Sequence, residues 1–433
     1  MITLLVACIA ISQQGSSLLQ QVIPNPTGRN GYEEYLMACD LIRNSDTATL
    51  ATASPAMLEE IISSYESQHS AGKGDEELPS RRRYEMARKY RGYTVLQLRR
   101  ESLKLGGRAL DLLHRGNQKP VFDPRTKMDM DTLFPEYAVM RSLGRVAVAG
   151  AYVAFAEGRT KQGTQYLCDA MILGQNLTDG VLISRLVGVA IQSIALASFE
   201  SHLPNLALPD ALMVEDLAPK LILDPPAAVR SLQREYAFIA SGLDSILDQD
   251  LSDLVGEEEV SESTRSFIAR MTLADKRQVA ELVRRKLSRQ RELTLAMYRQ
   301  PESTWTDPPA ADGHAQGEIE VRSNEDLAER MVGSIVPVFS QIGTAEVRNR
   351  TQIRLLALAG SVIRFRWEHD RWPTNLVEAV GESRAFDPAN GGKFHYEVQG
   401  SGFRVYSEGT KTTGEIALRY RRPASGSDHP TPP

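Results

Sequence analysis

The sequence predicts a mainly α protein: a multi-helix bundle followed by a small C-terminal α+β unit, in which one long helix packs on a three-stranded antiparallel sheet. Three observations carry this expectation. Between residues 31 and 300, apolar residues recur every three or four positions in segment after segment, which is the helical period. From 136 to 203 the chain is at its most apolar, as the centre of a bundle requires. After residue 390 the period falls to two, in "KFHYEVQ", "FRVYS" and "EIALRY". At 433 residues and 42% hydrophobic content, the chain has apolar mass for two or three ordinary domains.

The elements follow in order. "GYEEYLMACDLIR" (31–43) carries a stripe of Tyr32, Tyr35, Leu36, Cys39 and Ile42. In "SPAMLEEIISSYES", Ser54 is placed to cap and Pro55 to open a second helix. After a polar break, one long helix is expected over about 81–115, closed by "RGN". "KPVFDPRTKMDMDTLFPEY" reads as a loop. Its Asp123, Asp129 and Asp131 lack the central Gly and closing Glu of an EF-hand, so they are expected in a solvated turn.

Three helices are expected over 137–157, 160–177 and 181–202. Gly144, Ala147, Gly150, Ala151 and Ala154 would let the first pack closely. The third is apolar nearly all round, so it is either central or membrane-inserted; Arg185 and its short flanking neighbours favour the core. Amphipathic helices follow at 226–246 and 273–298. "QPESTWTDPPAADGHAQGEIEVRSNED" is Pro- and acid-rich and is expected as a long surface loop. A helix over 345–370 presents Ile353, Leu356, Gly360, Ile363 and Trp367 as one seam, which the sheet would cover. Pro373 stops it and Thr374 would cap a short helix in "NLVEAV".

The expected organisation is therefore an apolar, signal-like N-terminus (1–20), a helical domain (31–300), a linker loop (301–325), the α+β unit (326–421) and a disordered tail (422–433). Residues 2–11 are uncharged but too short to span a bilayer, and they fit the apolar region of a secretory signal. Export to the periplasm or envelope is expected, with a buried N-terminal segment of a cytoplasmic protein as the alternative. Membrane association is expected only through this N-terminus. The formal net charge of −5 leaves no basic footprint for nucleic acid, and the runs at 81–83 and 284–286 read as solvated helix faces. Cys8, Cys39 and Cys168 have no CxxC spacing and no neighbouring His, so no zinc site is expected.

Two resemblances emerge from these segments. "AYVAFAEGRTKQGTQYLCDAMIL", with Gly158 at the turn and Ala170 twelve residues on, resembles one tetratricopeptide hairpin (137–177). No copy follows at 34 residues, so an ordinary helical hairpin is expected rather than a repeat array. The order of a long helix, "RWPTNLVEAV" and "DPANGGKFHYEVQGSGFRVYSEG" resembles the soluble part of the major pseudopilins of type II secretion systems. The resemblance covers about 350–410 and rests on Trp372, Pro373, Thr374, Leu376, Asp387, Pro388, Gly391, Gly392, Phe394, Tyr396, Phe403, Tyr406, Ser407 and Gly409. It implies a helix-on-sheet unit that assembles with other proteins. Two departures narrow the implication. No prepilin signal or long assembly helix opens the chain, and "EGTKTTGE" lacks the aspartate that holds calcium in that family. The whole layout also resembles exported proteins of planctomycete-like environmental bacteria, a resemblance that implies no activity.

No residue is assigned a catalytic, cofactor-binding or metal-ligating role. Glu368, His369 and Asp370 are consecutive, and consecutive helical side chains diverge by about 100°. His369, His114 and His202 are read as helix-end residues suited to the dipole, and His395 as solvent-facing on its strand. Glu157, Arg185 and Glu200, in or beside the apolar helices, are expected as structural ion pairs. No HExxH, GxSxG, Walker A or GxGxxG motif occurs. The functional expectation is a non-enzymatic envelope scaffold or interaction module with protein partners and no cofactor. The alternative is a ligand-binding or hydrolase-like protein whose site lies between the helical domain and the C-terminal unit.

Overall fold

A computed structural model describes residues 17–70, 78–125, 132–223, 226–246, 262–306 and 321–421. It is mainly helical, with a small sheet at the C-terminal end. The first helices are α1 (Leu18–Val22), α2 (Gly31–Arg43), α3 (Thr47–Leu50), α4 (Pro55–Ser70), α5 (Leu78–Lys89) and α6 (Val95–Asn117). Ser54 accepts from the Met57 N–H, as its capping position predicts.

The single helix expected over 81–115 is two helices, α5 and α6. Gly92 takes φ +80°, a left-handed conformation that ends a helix. Thr94 then restarts it with a capping box: its hydroxyl accepts from the Gln97 N–H while Gln97 reaches back to the Thr94 N–H at 2.8 Å. The apolar period runs through the break because α5 and α6 both face a small satellite core of Leu50, Leu58, Ile62, Met86, Tyr90 and Leu98.

α7 (Pro135–Ala156), α8 (Thr160–Asn176) and α9 (Leu182–His202) form the centre, within a residue or two of the predicted bounds. Gly158, at φ +73°, makes the α7–α8 turn. Two small positions set the α8–α9 approach. A Cβ on Gly174 would lie 2.5 Å from the Gly188 carbonyl oxygen, and one on Gly188 would lie 2.3 Å from that of Gly174. The two backbones touch there with no side chain between them. α7 and α9 are the two helices among the described residues long and apolar enough to cross a membrane; both pack here into the bundle core.

α10 (Leu208–Leu221), α11 (Ala227–Ile246), α12 (Glu262–Ala269) and α13 (Leu273–Met297) follow. The helix expected at 345–370 begins 21 residues earlier: α14 runs from Asn324 to His369, 46 residues, opened by Ser323, whose hydroxyl accepts from the Asp326 N–H. Its N-terminal half joins a second apolar core with α11, α12 and α13, which includes Leu232, Leu243, Val283, Leu287, Leu327 and Val347. Its C-terminal half lies in the main core with Ile353, Leu356, Val362 and Ile363. The expected surface loop after Gln300 is not all surface. Trp305 is buried, its indole N–H donates to the Gln300 carbonyl, and its own carbonyl oxygen abuts Gly343 of α14. The rest of that loop, the acidic run near 248–260, the N-terminal 16 residues, Asp129, Asp131 and the tail from 422 lie outside the described residues.

The C-terminal sheet is antiparallel in the order β3 (His395–Gln399), β4 (Gly402–Ser407), β5 (Ile416–Tyr420), with Val405 opposite both Tyr396 and Leu418. A two-residue ladder, β1 (Phe386–Asp387) with β2 (Gly392–Lys393), precedes it. The strands β4 and β5 lie on α14, but the predicted seam is shared. Gly360, at its middle, faces α10, where a Cβ would meet the Ala211 carbonyl oxygen at 3.0 Å. Trp367 is 45% exposed instead of closing the seam. Trp372, beyond the helix, packs edge-on against Phe403 and Tyr420 at 5.1 and 5.2 Å and takes that place.

Candidate functional site

The polar stretch 368–378 is a joint. Glu368 pairs with Arg364 at 3.0 Å, one turn back. His369 stacks on Phe365, and its Nδ1 lies 3.0 Å from the Phe365 carbonyl, one of the acceptors left open at a helix end. Asp370 adopts φ 54° and caps α14 through its N–H to the Arg366 carbonyl at 2.8 Å. The three side chains diverge, as their spacing requires. Asn375, not Thr374, caps α15 (Leu376–Val380), accepting from the Glu378 N–H at 3.0 Å. Thr374 instead donates its N–H and hydroxyl to the Glu378 carboxylate, which also binds Arg371.

The Arg371 and Thr374 contacts hold the Glu378 carboxyl down at about 2, against an ordinary 4.5. Its contribution to the joint is therefore complete above about pH 4.5 and is lost as the pH falls through about 2. A carboxyl NMR titration of Glu378 should show a midpoint near 2; one near 4.5 would show that these contacts do not persist in solution.

Buried charges tie distant segments together. Arg185, the largest fully buried side chain, pairs through Nε (2.8 Å) and Nη2 with Glu346 of α14, and both are 2% exposed. The expected ion pair exists, but its partner lies 161 residues away and is neither of the two glutamates named beside it. Glu157 is on the surface with Arg100 and Arg159. Glu302 receives Arg350 at 2.9 Å and Arg354 at 2.6 Å. Burial opposes its ionisation, yet the two guanidinium groups hold its carboxyl below the ordinary value.

Asp123 does not sit in a solvated turn. With its side chain 4% exposed, it pairs with Arg125, which also binds the fully buried Glu136 at 2.5 Å. The Tyr32 hydroxyl donates to Glu136 at 2.8 Å. Burial raises Glu136 above its ordinary value, with Arg125 opposing. A narrow cleft too tight to admit a water lies beside this cluster, lined by Tyr32, Asp123, Tyr137, Asn176 and Ser184 among others.

His114 does more than end a helix. Its Nδ1 lies 3.0 Å from the carboxylate of Asp169 on α8, which is 2% exposed. Asn117 and Gln165 also donate to that carboxylate, at 2.9 and 3.2 Å. Tyr35 donates to Asn117 at 2.6 Å, and Asn176 donates to Tyr35 at 2.6 Å. Burial raises the Asp169 carboxyl, and the Asn117 and His114 contacts oppose it. His202 stacks on Phe155 at the end of α9, and His395 stacks on Tyr406 with its side chain 41% exposed. Cys39 and Cys168 are buried and free.

The C-terminal unit brings two motif positions together. The Ser407 hydroxyl donates to Asp387 at 2.5 Å, and both residues are fully buried. Asp387 also accepts from the Ala389 N–H, and Ser407 from the Gly409 N–H at 2.9 Å.

The helical bundle and the sheet meet at a groove of about 100 Å³. Leu196 and Ala197 of α9, Leu355 of α14 and Leu418 of β5 form its apolar walls, and Glu200 and Gln352 supply polar edges. Glu200 accepts from the Arg419 backbone N–H at 3.1 Å and so fastens β5 to α9. Its lining comes from positions some 220 residues apart, so no local motif marks it. Among the described residues, no group of three His, Cys, Asp or Glu is placed to hold a metal ion. No family model, curated protein or solved structure matches the chain.

Proposed function

We propose that the chain is an exported or envelope-associated scaffold that works by binding other proteins, with a pseudopilin-like C-terminal unit. The observation that carries this reading is the groove between α9, α14 and β5. Leu196, Ala197, Leu355 and Leu418 give it an apolar side, and its volume suits one aliphatic side chain of a partner, inserted as an anchor. Ala197 is exposed at its rim. The Asp387–Ser407 pair supports the pseudopilin-like reading, because it gives two positions of that motif a shared structural purpose. The polar edges at Glu200 and Gln352 favour a second reading, a small ligand in the same groove.

The test is a pull-down from envelope extracts with the wild type and Ala197→Trp, which fills the groove from its exposed rim. Partner capture should fall at least about tenfold with the melting temperature unchanged, as expected when a central anchor pocket is blocked. Equal capture by both proteins would overturn the groove as the docking site. For compartment, the protein is expected in the envelope fraction with a processed N-terminus. Recovery only from the cytoplasm with residue 1 intact would overturn export.

A further inference from the structure

We propose that His114 is an acceptor for a transferable phosphoryl group, delivered by a donor of the acyl-phosphate or phosphoramidate class. The imidazole is held from one side only. Its Nδ1 faces both oxygens of Asp169 at 3.0 and 3.1 Å, which sets the proton on Nδ1 and leaves the Nε2 lone pair free. The His114 side chain is 45% exposed while Asp169 is 2% exposed, so the ring is open to solvent and its orienting carboxylate is not.

The support behind Asp169 is deeper than a surface helix end needs. Asn117 and Gln165 fix the carboxylate, Tyr35 fixes Asn117, and Asn176 fixes Tyr35, so three helices fix one ring. With the ring nearly half exposed, a reaction at Nε2 suits a reagent brought to the surface, and group transfer to an exposed nitrogen needs no substrate pocket in this chain. In the step, the Nε2 lone pair forms a bond to phosphorus as the phosphorus–oxygen bond of the acyl phosphate breaks, and the carboxylate leaves with that electron pair. The Nδ1 proton stays in place. The positive charge that develops on the ring faces Asp169.

The experiment uses the full chain and potassium phosphoramidate, where ammonia is the leaving group, with phosphate located by ³¹P NMR and peptide mass. The internal reference is His395, whose side chain is comparably exposed at 41% and whose carboxylate partner, Glu408, is itself exposed. His114 should be labelled at least about tenfold faster than His395, as acid–base activation of a nucleophile implies. Asp169→Asn should remove that advantage. Gln165→Leu, which removes one support of Asp169 from the surface side, should reduce it part-way if Asp169→Asn does not fold. Labelling of His114 no faster than His395 in the wild type would overturn the proposal, as would an unchanged rate in a folded Asp169→Asn.

Discussion

Replacing Glu346 by leucine is expected to lower folding stability by about 3–5 kcal/mol, the cost of leaving a buried charge without its partner. The charge left behind is Arg185, which is 2% exposed and whose Nη1 already lacks a hydrogen-bond partner. The double variant Arg185→Met with Glu346→Leu should recover most of the loss, because the pair costs desolvation energy that an apolar pair does not. Chemical denaturation of the wild type, both single variants and the double variant measures this directly. A single-variant cost below about 1 kcal/mol would mean that the pair is solvated and does not anchor α9 to α14.

Gly188→Ala is the second large effect. The added methyl carbon would lie 2.3 Å from a backbone oxygen of α8, and backbone cannot rotate away as a side chain can. The helices must part, at about 1–3 kcal/mol for one carbon and more for Gly188→Val. Gly107→Ala in α6 is the matched control, since nothing lies within 4 Å of its Cβ position. There the helix gains, by about 0.5–1 kcal/mol, from the lower entropy of the unfolded chain. Opposite signs at two helical glycines would show that contact, not helix propensity, decides the first.

Much of the fold was legible because periodicity is a local property. The stripe through 31–43, the three central helices and the alternation in β3, β4 and β5 each needed only a short window of sequence. The misreadings share a cause. One long helix was expected over 81–115 because the apolar stripe does not lapse at Gly92, although the Thr94–Gln97 capping box was present in the letters. Trp367 fitted the seam by spacing, yet Trp372 won the sheet because the chain turns at Asp370. Asn375 displaced Thr374 as the cap because the Glu378 carboxylate takes the Thr374 hydroxyl for itself.

The site was the least legible part. The groove is lined from α9, α14 and β5, and nothing near Ala197 announces Leu418. For Arg185, a partner could be expected but not named, since Glu346 sits in a different helix entirely. The His114–Asp169 pair did leave a signal. Asp169 is 2% exposed within a run whose other members, Leu167, Cys168, Ala170 and Met171, are buried and apolar, and a lone carboxylate in such a run calls for a partner. What the run does not specify is which of the distant polar residues answers it.

The main apolar core has a consequence for synthesis. Leu18 and Leu418 belong to the same cluster, so the earliest of the described helices shares its burial with the last of the described strands. The second core likewise needs both Leu182 and Val347. Such non-local closure slows folding relative to a bundle built from neighbours. A nascent chain halted before α14 holds exposed leucine and alanine faces with nothing to cover them. The main core is thus completed only after α14 and β5 have been made, and until then its uncovered faces are open to a chaperone.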